Sequence, residues 1–350
     1  MLRIAFVVPS LAPLGPVIVV RNLVERMVAH GHECVVFYFD ERENGMEFAC
    51  ETRRISFWGR HEDFRGFDWV HAHCFRPMVY VARVKGVKKV TTIHSYLFAE
   101  YRYSLGHFPL LGKLLAYILG LFSVRVANQF DRVVTLSQYA KNYYCKWIEE
   151  EKIMVCCNSV DISSTSKVIG MKDKQLIMDF KQDSILLGCI CELAEIKNLK
   201  TVIHAMAILP NKYRLLIIGD GHDRDILWHE VKENGLSQRI LLIGWKKDAH
   251  RYLSLIDVFC LASWSEGFPL VLLEAASYGK AIVCSDIGGM RERFSETEVT
   301  YFQPDDIKGL AEAICYAGEH REKGMKAKAI AEERFSTERM YEQYEGVYGL

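Results

Sequence analysis

The chain has 350 residues, half of them hydrophobic and a quarter charged, which is typical of a globular protein of about two domains. This composition excludes a disordered chain, a collagen-like repeat and a small disulfide-stapled domain. The chain has 44 basic residues (lysine and arginine) and 44 acidic residues (aspartate and glutamate), so no excess of positive charge indicates nucleic acid as a partner.

Short apolar runs alternate with helical patterns along the first half of the chain. A helix is expected over 17–30, and strands are expected at 4–8, 33–39, 69–72, 89–93 and 132–136. Strands that alternate with helices at this spacing predict a parallel, doubly wound α/β sheet.

A polar stretch at 161–184 interrupts this pattern, which then begins again. The second series has a helix at 199–208 and strands at 185–189, 213–218, 239–243, 258–262 and 281–285. We therefore predict two Rossmann-like domains that face a central cleft, with the boundary between 165 and 166. Ligands of such sheets bind outside the carboxyl ends of the strands.

The cysteines and the start of the chain indicate the compartment. Eleven cysteines are spread through apolar stretches without a C-x-x-C pair, which favours free thiols in a reducing cytoplasm. Pro9 and Pro13 interrupt the first apolar run, so we interpret it as a buried strand and a loop rather than a targeting segment.

The densest motif runs over residues 262–276. A strand is expected to end before it and a helix to start near Pro269, since proline suits the first helical position. The N–H groups of Phe268, Leu270 and Val271 would then lack intrahelical partners, at the positive end of the helix dipole. Such a helix start is suited to binding a diphosphate.

Two glutamates flank this helix start, Glu266 before it and Glu274 in its second turn. They would repel a phosphate, but carboxylates accept hydrogen bonds from the paired hydroxyls of a sugar. The alternative is that both glutamates only cap and solvate the helix.

The spacing Glu266-x7-Glu274, within S-x-x-E-G-F-P-x-x-x-x-E-A, resembles the signature of retaining glycosyltransferases of family 4, which have the GT-B fold. Further resemblances follow in the family's order over nearly the whole chain, at 68–73, 91–94, 131–137, 158–161, 219–221, 288–292 and 335–341. The last of these resembles a helix that crosses back onto the first domain. The domains implied are therefore 1–165 with 335–350, on the acceptor side, and 166–334, which binds the nucleotide sugar.

The resemblance also implies roles for single residues. Glu274 would hold the ribose hydroxyls of the nucleotide, Glu266 would contact hydroxyls of the transferred sugar, and His94 would lie beside its outer hydroxyl. His71 and His73 are interpreted as structural residues at the end of a strand.

Neutralising the diphosphate requires cations, because the leaving group gains negative charge. The family's G-R-L-x-x-x-K-G is replaced here by Cys191-Glu192-Leu193 followed by Lys197. Lys197 matches the family, whereas Glu192 stands where an arginine is usual. Our hypothesis is that Glu192 contacts the donor sugar or the acceptor. The candidate catalytic residues are thus Glu266, Lys197 and His94.

The other candidate donor-binding residues lie at expected loops. The family's first loop usually has two glycines beside the diphosphate, and this chain has only one of them, Gly15. Trp245 either packs on the base or fills an interface. The remaining candidates are Gly219, Gly221, Gly267, Phe268, Pro269, Leu270 and Val271.

One D-x-D pattern, Asp223-Arg-Asp225, has the spacing used by metal-dependent glycosyltransferases. It follows Gly219-Asp-Gly221 at an expected helix start, where acidic residues are explained by capping and the helix dipole. We therefore expect no metal ion and no cofactor besides the nucleotide sugar.

The acceptor side is basic and apolar. Residues 101–130 include Lys113 and Arg125 and an uncharged run at 114–124, and Arg83, Lys85, Lys88 and Lys89 form a second basic cluster. Eleven residues cannot span a bilayer, but a basic apolar helix can lie in the membrane interface. The alternative is a core helix that covers the sheet.

These observations predict a retaining, cytoplasmic or peripheral membrane glycosyltransferase that uses a UDP-sugar in the assembly of surface polysaccharide or glycolipid. The alternatives are another GT-B enzyme, such as a nucleotide-sugar epimerase, or an inactive GT-B binding module. A dehydrogenase is disfavoured because no G-x-G-x-x-G follows either first strand.

Overall fold

The computed structural model describes residues 1–42, 44–59, 61–105, 111–161 and 169–350. It divides into two compact units, Met1–Ser159 with Phe335–Leu350, and Val160–Arg334. The boundary expected between 165 and 166 falls in 162–168, outside the described residues, and the observed division lies a few residues before it.

Each unit contains one sheet, and all strand pairs of both sheets are parallel. The first sheet has the order β3-β2-β1-β4-β5-β6-β7 and the second has the order β10-β9-β8-β11-β12-β13. The strands are β1 (Arg3–Ser10), β2 (Glu33–Asp40), β3 (Glu51–Arg54), β4 (Trp69–His73), β5 (Lys88–Ile93), β6 (Arg132–Thr135), β7 (Ile153–Val155), β8 (Ile185–Ile190), β9 (Tyr213–Ile218), β10 (Ile240–Leu242), β11 (Val258–Leu261), β12 (Ala281–Ser285) and β13 (Thr300–Phe302).

The two sheets share one topology. In each, the first strand lies between the second and the fourth, so the direction of winding reverses between β1 and β4 and again between β8 and β11. This topological switch point is where doubly wound sheets bind ligands. The predicted doubly wound α/β architecture is confirmed in both units.

Helices alternate with these strands. They are α1 (Gly15–Ala29), α2 (Phe75–Ala82), α3 (Leu97–Ser104), α4 (Leu111–Ala127), α5 (Gln138–Tyr144), α6 (Met171–Lys181), α7 (Leu199–Ile208), α8 (Arg224–Glu233), α9 (Leu270–Ser277), α10 (Ile307–Glu319), α11 (Glu322–Arg334) and α12 (Thr337–Tyr348). Buried aliphatic residues of the strands and of the helix faces beside them form a separate core in each unit.

The strands that sequence analysis missed are β3, β7 and β13, and all three lie at sheet edges. The four residues of β3 are exposed and polar, while β7 and β13 have three residues each. An edge strand is buried on fewer sides, so its sequence needs no continuous apolar run. The interior strands, buried on both faces, carry the runs that were recognised, and β10 is an edge strand that was recognised because its run is apolar.

The C-terminal helix α12 belongs to the first unit. The Ser336 hydroxyl accepts a hydrogen bond from the backbone N–H of Arg339 and caps its start, and Gly349, with φ of 73°, ends it. Its Tyr341 ring stacks on His30 at 4.0 Å, and the indole N–H of Trp69 donates to the Tyr348 carbonyl at 3.1 Å. These contacts fix α12 against α1 and the first sheet.

All eleven cysteines are free thiols, and five of them are buried. Among the described residues, no helix combines the length and the apolarity needed to cross a bilayer.

Candidate functional site

The switch point of the second sheet carries the charged candidates. Strands β8 and β11 are neighbours, and the loops that leave their carboxyl ends hold Lys197 and Glu266 respectively. Lys197 ends a short 3-10 turn, Glu195–Lys197, which directly precedes α7. The topology therefore brings together two residues that are 69 positions apart in the sequence.

Lys197 and Glu266 form a largely buried ion pair. The Lys197 ammonium donates to Glu266 Oε1 at 2.7 Å, and the Ser263 hydroxyl donates to the same oxygen at 2.7 Å. Burial alone would lower the pKa of Lys197, but the charge and the hydrogen bond of Glu266 outweigh it and raise that pKa. Lys197 is therefore positively charged at neutral pH. The other carboxylate oxygen of the pair, Glu266 Oε2, accepts no hydrogen bond from any residue that the structure describes.

Ser263 is a residue that sequence analysis did not assign. It stands three positions before Glu266 and is fully buried. By occupying Oε1 together with Lys197, it orients the carboxylate so that the other oxygen remains available. The S-x-x-E spacing was the signal that could have identified it.

Glu274 lies on α9 and is only partly exposed. Burial raises the pKa of its carboxyl to about 7. Within the described parts of the chain no donor lies within hydrogen-bonding distance of this carboxylate. A carboxylate that is largely withdrawn from water and has no donor among the described residues is costly, so Glu274 is a candidate for binding the hydroxyls of a ligand.

The start of α9 differs slightly from the prediction. Pro269 is the N-cap residue, with ψ of 125°, and the helix proper begins at Leu270 with no side chain capping it. Phe268, directly before it, is buried under the guanidinium of Arg293, whose central carbon lies 4.2 Å from the ring centre. Arg293 also donates to the Gly289 carbonyl at 2.7 Å, so it joins the two loops that follow β11 and β12.

Gly219 and Gly221 are required by packing. A Cβ at Gly219 would lie 1.8 Å from the Cys191 carbonyl oxygen, and one at Gly221 would lie 2.3 Å from that of Leu193. Gly219 has φ of 145°, and Leu193 N–H donates to the Asp220 carbonyl. These glycines let the loop after β9 pack closely on the loop that carries Glu192.

Two other donor candidates lie on the same edge of the second sheet. Glu192 is exposed, and its charge helps to raise the pKa of Lys197. Trp245 is 48% exposed and follows Gly244, whose carbonyl accepts a hydrogen bond from Gly219 N–H at 3.0 Å. An indole with this exposure offers a face for stacking.

The first unit has neutral groups at the corresponding place. His94 follows β5, and its Nε2 lies 2.9 Å from His73 Nδ1, at the end of β4. Burial lowers the pKa of His94 to about 3. His71 is satisfied as expected, because Tyr348 OH and Thr92 Oγ1 lie 2.7 and 2.8 Å from its two ring nitrogens.

Gly15 begins α1, and an added Cβ would meet nothing within 4 Å. Packing in the structure therefore does not require glycine here, in contrast to Gly219. Leu14 is the N-cap residue and offers no side-chain hydrogen bond to the helix.

The prediction that the D-x-D residues cap helix α8 is only partly correct. Asp223 is the N-cap residue of α8, but its side chain makes no capping hydrogen bond and instead lies 3.4 Å from His222 Nε2. Asp225 lies in the first turn. The described residues contain no group of three or more His, Cys, Asp or Glu that could hold a metal ion.

Helix α4 is buried on one face and exposed on the other. Its small residues, such as Ala116 and Gly120, pack inward, and a Cβ on Gly120 would lie 2.3 Å from the Phe98 ring. Its exposed apolar side chains are Leu111, Leu114, Leu115, Tyr117, Ile118 and Phe122. The prediction for 101–130 includes 106–110, which lie outside the described residues.

The second basic cluster is only partly open to solvent. Arg83 and Lys85 are exposed, whereas Lys89 Nζ donates to the Ala82 carbonyl at 3.3 Å. Lys88 is exposed, and its Nζ lies 5.3 Å from the ring centre of Trp69.

Comparisons with known proteins identify the family of this chain. The family model described as Glycosyltransferase Family 4 matches residues 15–164, and the one described as Glycosyl transferases group 1 matches residues 173–334. The O-antigen biosynthesis glycosyltransferase WclY of Escherichia coli is 31% identical over 364 residues, which cover 99% of this chain and 98% of that protein.

Two further proteins are similar. The E. coli UDP-Gal:alpha-D-GlcNAc-diphosphoundecaprenol alpha-1,3-galactosyltransferase is 30% identical over 237 residues, which cover 64% of this chain and 59% of that protein. The crystal structure of Anabaena Alr3699/HepE in complex with UDP and glucose has a TM-score of 0.81 at 19% identity and covers 100% of both chains.

Two doubly wound parallel sheets on one chain, with these structural neighbours, define the GT-B fold. The chain belongs to glycosyltransferase family 4.

Proposed function

We propose that this protein is a retaining hexosyltransferase that moves a sugar from a UDP-sugar to a sugar or a lipid-linked saccharide during assembly of a surface polysaccharide or glycolipid. The observation that carries the proposal is the Lys197–Glu266 pair at the switch point of the second sheet. It supplies a fixed cation and a free carboxylate oxygen side by side, which a sugar diphosphate needs and an uncharged ligand does not.

The donor's phosphates are bound by positive charge. The Lys197 ammonium has three N–H groups and donates one hydrogen bond to Glu266, so the other two can donate to phosphate oxygens. The start of α9, where no side chain caps the helix, adds the positive end of its dipole and the backbone N–H groups of Gly267, Phe268, Leu270 and Val271, since Pro269 has none. Stabilising the departing diphosphate in this way lowers the barrier to cleavage of the sugar–phosphate bond.

The donor's hydroxyls are bound by the two acids. Glu266 Oε2 accepts from a hydroxyl of the transferred sugar, and Glu274 accepts from the paired ribose hydroxyls. Trp245 stacks on the base, and Gly15 allows the backbone of the first unit close to the diphosphate. Glu192 contacts the donor sugar or the acceptor, since a carboxylate cannot replace the missing arginine on phosphate.

Similar proteins support the choice of substrates. The HepE structure contains UDP and glucose, and the similar galactosyltransferase is named for UDP-Gal and for a diphosphoundecaprenol-linked acceptor. The similarity to WclY over almost the whole chain supports a role in O-antigen or related polysaccharide assembly.

The reaction is proposed to need no metal ion or other cofactor, because Lys197 and the start of α9 stabilise the negative charge of the diphosphate. Asp223, the first acid of the D-x-D pattern, is placed against His222. Transfer should therefore continue unchanged in excess EDTA. Loss of activity in EDTA that is restored by Mg²⁺ or Mn²⁺ would refute metal independence.

The exposed face of α4 is proposed to contact the cytoplasmic surface of a membrane, where a lipid-linked acceptor is found. Leu114, Ile118 and Phe122 are apolar and exposed, while Lys113 and Arg125 on the same helix are exposed and basic. Apolar side chains bordered by positive charge favour the interface of an anionic bilayer. Arg83, Lys85, Lys88 and Lys89 add positive charge to the same unit.

Sedimentation with anionic vesicles tests this contact. The double variant Leu114→Ser with Ile118→Ser should bind about tenfold more weakly, because two exposed side chains no longer leave water. Ile208→Ser, which changes an exposed apolar residue of the second unit, is the matched control and should bind like the unchanged protein. Equal binding by all three proteins would refute the contact.

The function itself is tested by a thermal-shift screen of nucleotide sugars, since a ligand that binds only the folded state raises the melting temperature. The stabilising donor is then incubated with and without lipid-linked saccharides, and the anomeric configuration of the product is read by NMR. Transfer with retention supports the proposal. A changed donor without acceptor indicates an epimerase, and binding without any reaction indicates an inactive binding module.

A further inference from the structure

Two histidines lie side by side on β4 of the first sheet. His71 and His73 are two positions apart, so their side chains lie on the same face of the strand. Both are fully buried, and their ring centres are 4.1 Å apart. Their hydrogen bonds differ, and this difference indicates what His73 does.

Both ring nitrogens of His71 are bonded to groups that hold the fold together. Tyr348 of α12 lies at one nitrogen, and Thr92 of β5 lies at the other. Thr92 Oγ1 lies 3.1 Å from Tyr344 OH, also on α12. His71 therefore connects the sheet to the C-terminal helix.

Among the described residues, His94 is the hydrogen-bond partner of a ring nitrogen of His73. The Nδ1 of His73 lies 2.9 Å from the Nε2 of His94. Its other nitrogen, Nε2, is buried and has no hydrogen-bond partner in the portion of the chain that the structure describes. Burial lowers the pKa of both imidazoles, so both rings are neutral and only one of the two facing nitrogens carries a proton.

The environment of His73 decides which ring donates. If its proton were on Nε2, a buried N–H group would have no acceptor, and such groups are rare in folded proteins. With the proton on Nδ1, only an acceptor lone pair is left without a partner, and the bond to His94 is made. His73 therefore donates, and His94 Nε2 accepts.

We propose that His73 is a positioning residue that holds His94 as the Nδ1–H tautomer, so that the ring nitrogen of His94 facing away from His73 is a hydrogen-bond donor. This inference rests on the proposed function and on the role that the family resemblance implies for His94, which is a contact with a hydroxyl of the transferred sugar. It deepens that function by assigning the contact a direction: His94 Nδ1 donates to an oxygen of the sugar and does not remove a proton from it. The site then selects donor sugars that present an oxygen at this position.

The tautomer can be measured directly in the full chain by ¹⁵N-edited NMR of the histidine rings, with His94→Gln used to assign the signal. The expected spectrum has a protonated Nδ1 and an unprotonated Nε2 for His94. His73→Asn keeps an N–H donor near the position of Nδ1 and should preserve that pattern. His73→Asp, at a pH where its carboxyl is ionised, offers only acceptor oxygens and should move the proton to Nε2.

His71→Asn is the matched control, on the same strand and in the same stack. It removes a contact to α12 and should lower the melting temperature while the His94 tautomer stays unchanged. An unsubstituted protein whose His94 carries its proton on Nε2 would overturn the inference. A tautomer that does not change in His73→Asp would overturn it as well.

Activity tests the positioning role separately. His73→Asn should keep transfer within about threefold, whereas His73→Asp should lose at least tenfold in kcat/KM at an unchanged Kd for UDP. Normal transfer by His73→Asp, with its tautomer reversed, would refute the role of His73. Absence of transfer by the unsubstituted protein with every donor would refute the proposed function instead, and the spectrum would still decide the tautomer.

Discussion

The first six strands of each sheet have the same order, yet the residues at the two switch points differ in charge. The second unit holds a buried ammonium and carboxylate in contact, Lys197 and Glu266, and a nearby acid, Glu274, whose pKa is raised. The first unit holds His71, His73 and His94, whose pKa values burial lowers, so they are neutral. One topology thus supports a charged site in one unit and a neutral one in the other.

The two halves of the proposed reaction explain this difference. A diphosphate that gains charge as it leaves requires a cation fixed beforehand, and a buried cation requires a partner. Sugar hydroxyls are neutral, and they are distinguished by donors and acceptors with a fixed direction. In the proposed function, the second switch point meets the diphosphate through Lys197 and hydroxyls through Glu266 and Glu274, while the histidines of the first offer only neutral, directional contacts.

The largest effect is expected from removing the cation of the charged site. Lys197→Met should lower kcat by roughly a thousandfold, because electrostatic stabilisation of the leaving group is lost. It should also lower the free energy of unfolding by about 3–5 kcal/mol, since Glu266 would be left buried without its partner. Steady-state kinetics and chemical denaturation measure the two effects.

Lys181→Met is the control for this experiment. Lys181 forms a similarly buried pair with Asp257 at 2.7 Å in the same unit, away from the candidate site. It should lose stability and keep its kcat. Adding Glu266→Gln to Lys197→Met should restore stability without restoring turnover, and recovered turnover would contradict the role of Lys197.

The next largest effect on stability is expected at Gly219 of the second unit, in contrast to Gly15 of the first. Gly219→Ala would force a Cβ against the Cys191 carbonyl and should cost about 3 kcal/mol of stability or more. Gly15→Ala has open space and should leave the melting temperature unchanged while it raises the KM for the donor. If Gly15→Ala changes neither quantity, the proposed contact of Gly15 with the diphosphate is wrong.

Glu274→Gln is expected to weaken donor binding by about ten- to a hundredfold, because hydrogen bonds to a charged acceptor are lost. The pKa of Glu274 is raised from 4.5 to about 7, and its ionised form is the better acceptor. Donor affinity of the unsubstituted protein should therefore rise with pH through about 7, while the variant shows no such rise. Calorimetric titrations of donor binding, carried out from roughly 1.5 pH units below this pKa to roughly 1.5 units above it, measure the change in affinity.

Stability should change with pH in the opposite sense. A raised pKa in the folded state gives a contribution that is present at low pH and is lost as pH rises from 4.5 to about 7. Above that range the ionised carboxylate costs up to about 3 kcal/mol. Glu274→Gln should thus gain stability relative to the unsubstituted protein as pH rises, and a constant difference would contradict the raised pKa.

The smallest effect is expected at Trp245. Trp245→Ala should weaken UDP binding by three- to tenfold, which corresponds to about 1 kcal/mol of lost stacking. The melting temperature without ligand should not change, because the ring is half exposed. Trp245→Phe keeps a stacking face and should retain most of the affinity; equal affinity in all three proteins would remove Trp245 from the base site.

Much of the fold could be predicted because interior strands are apolar on both faces. The bounds predicted for β9 and β12 agree with the structure, and those of β1, β2 and β4 differ by one or two residues at an end. The edge strands β3, β7 and β13 were not predicted: β3 is polar, and β7 and β13 have only three residues each. The chemistry of Lys197, Glu266 and Glu274 was indicated by a local motif and by a family resemblance.

The sequence by itself determined two doubly wound domains and the residue types at their loops, because burial periodicity and turn residues are local properties of the chain. Only the tertiary structure decided that Ser263 and Lys197 share one oxygen of Glu266, that Glu274 has no donor among the described residues and that His73 faces His94. The contacts of Lys197 with Glu266 and of His73 with His94 join residues on different loops or strands, and the pKa of Glu274 depends on its burial. Contacts between distant residues and burial cannot be predicted from the spacing along one strand or helix.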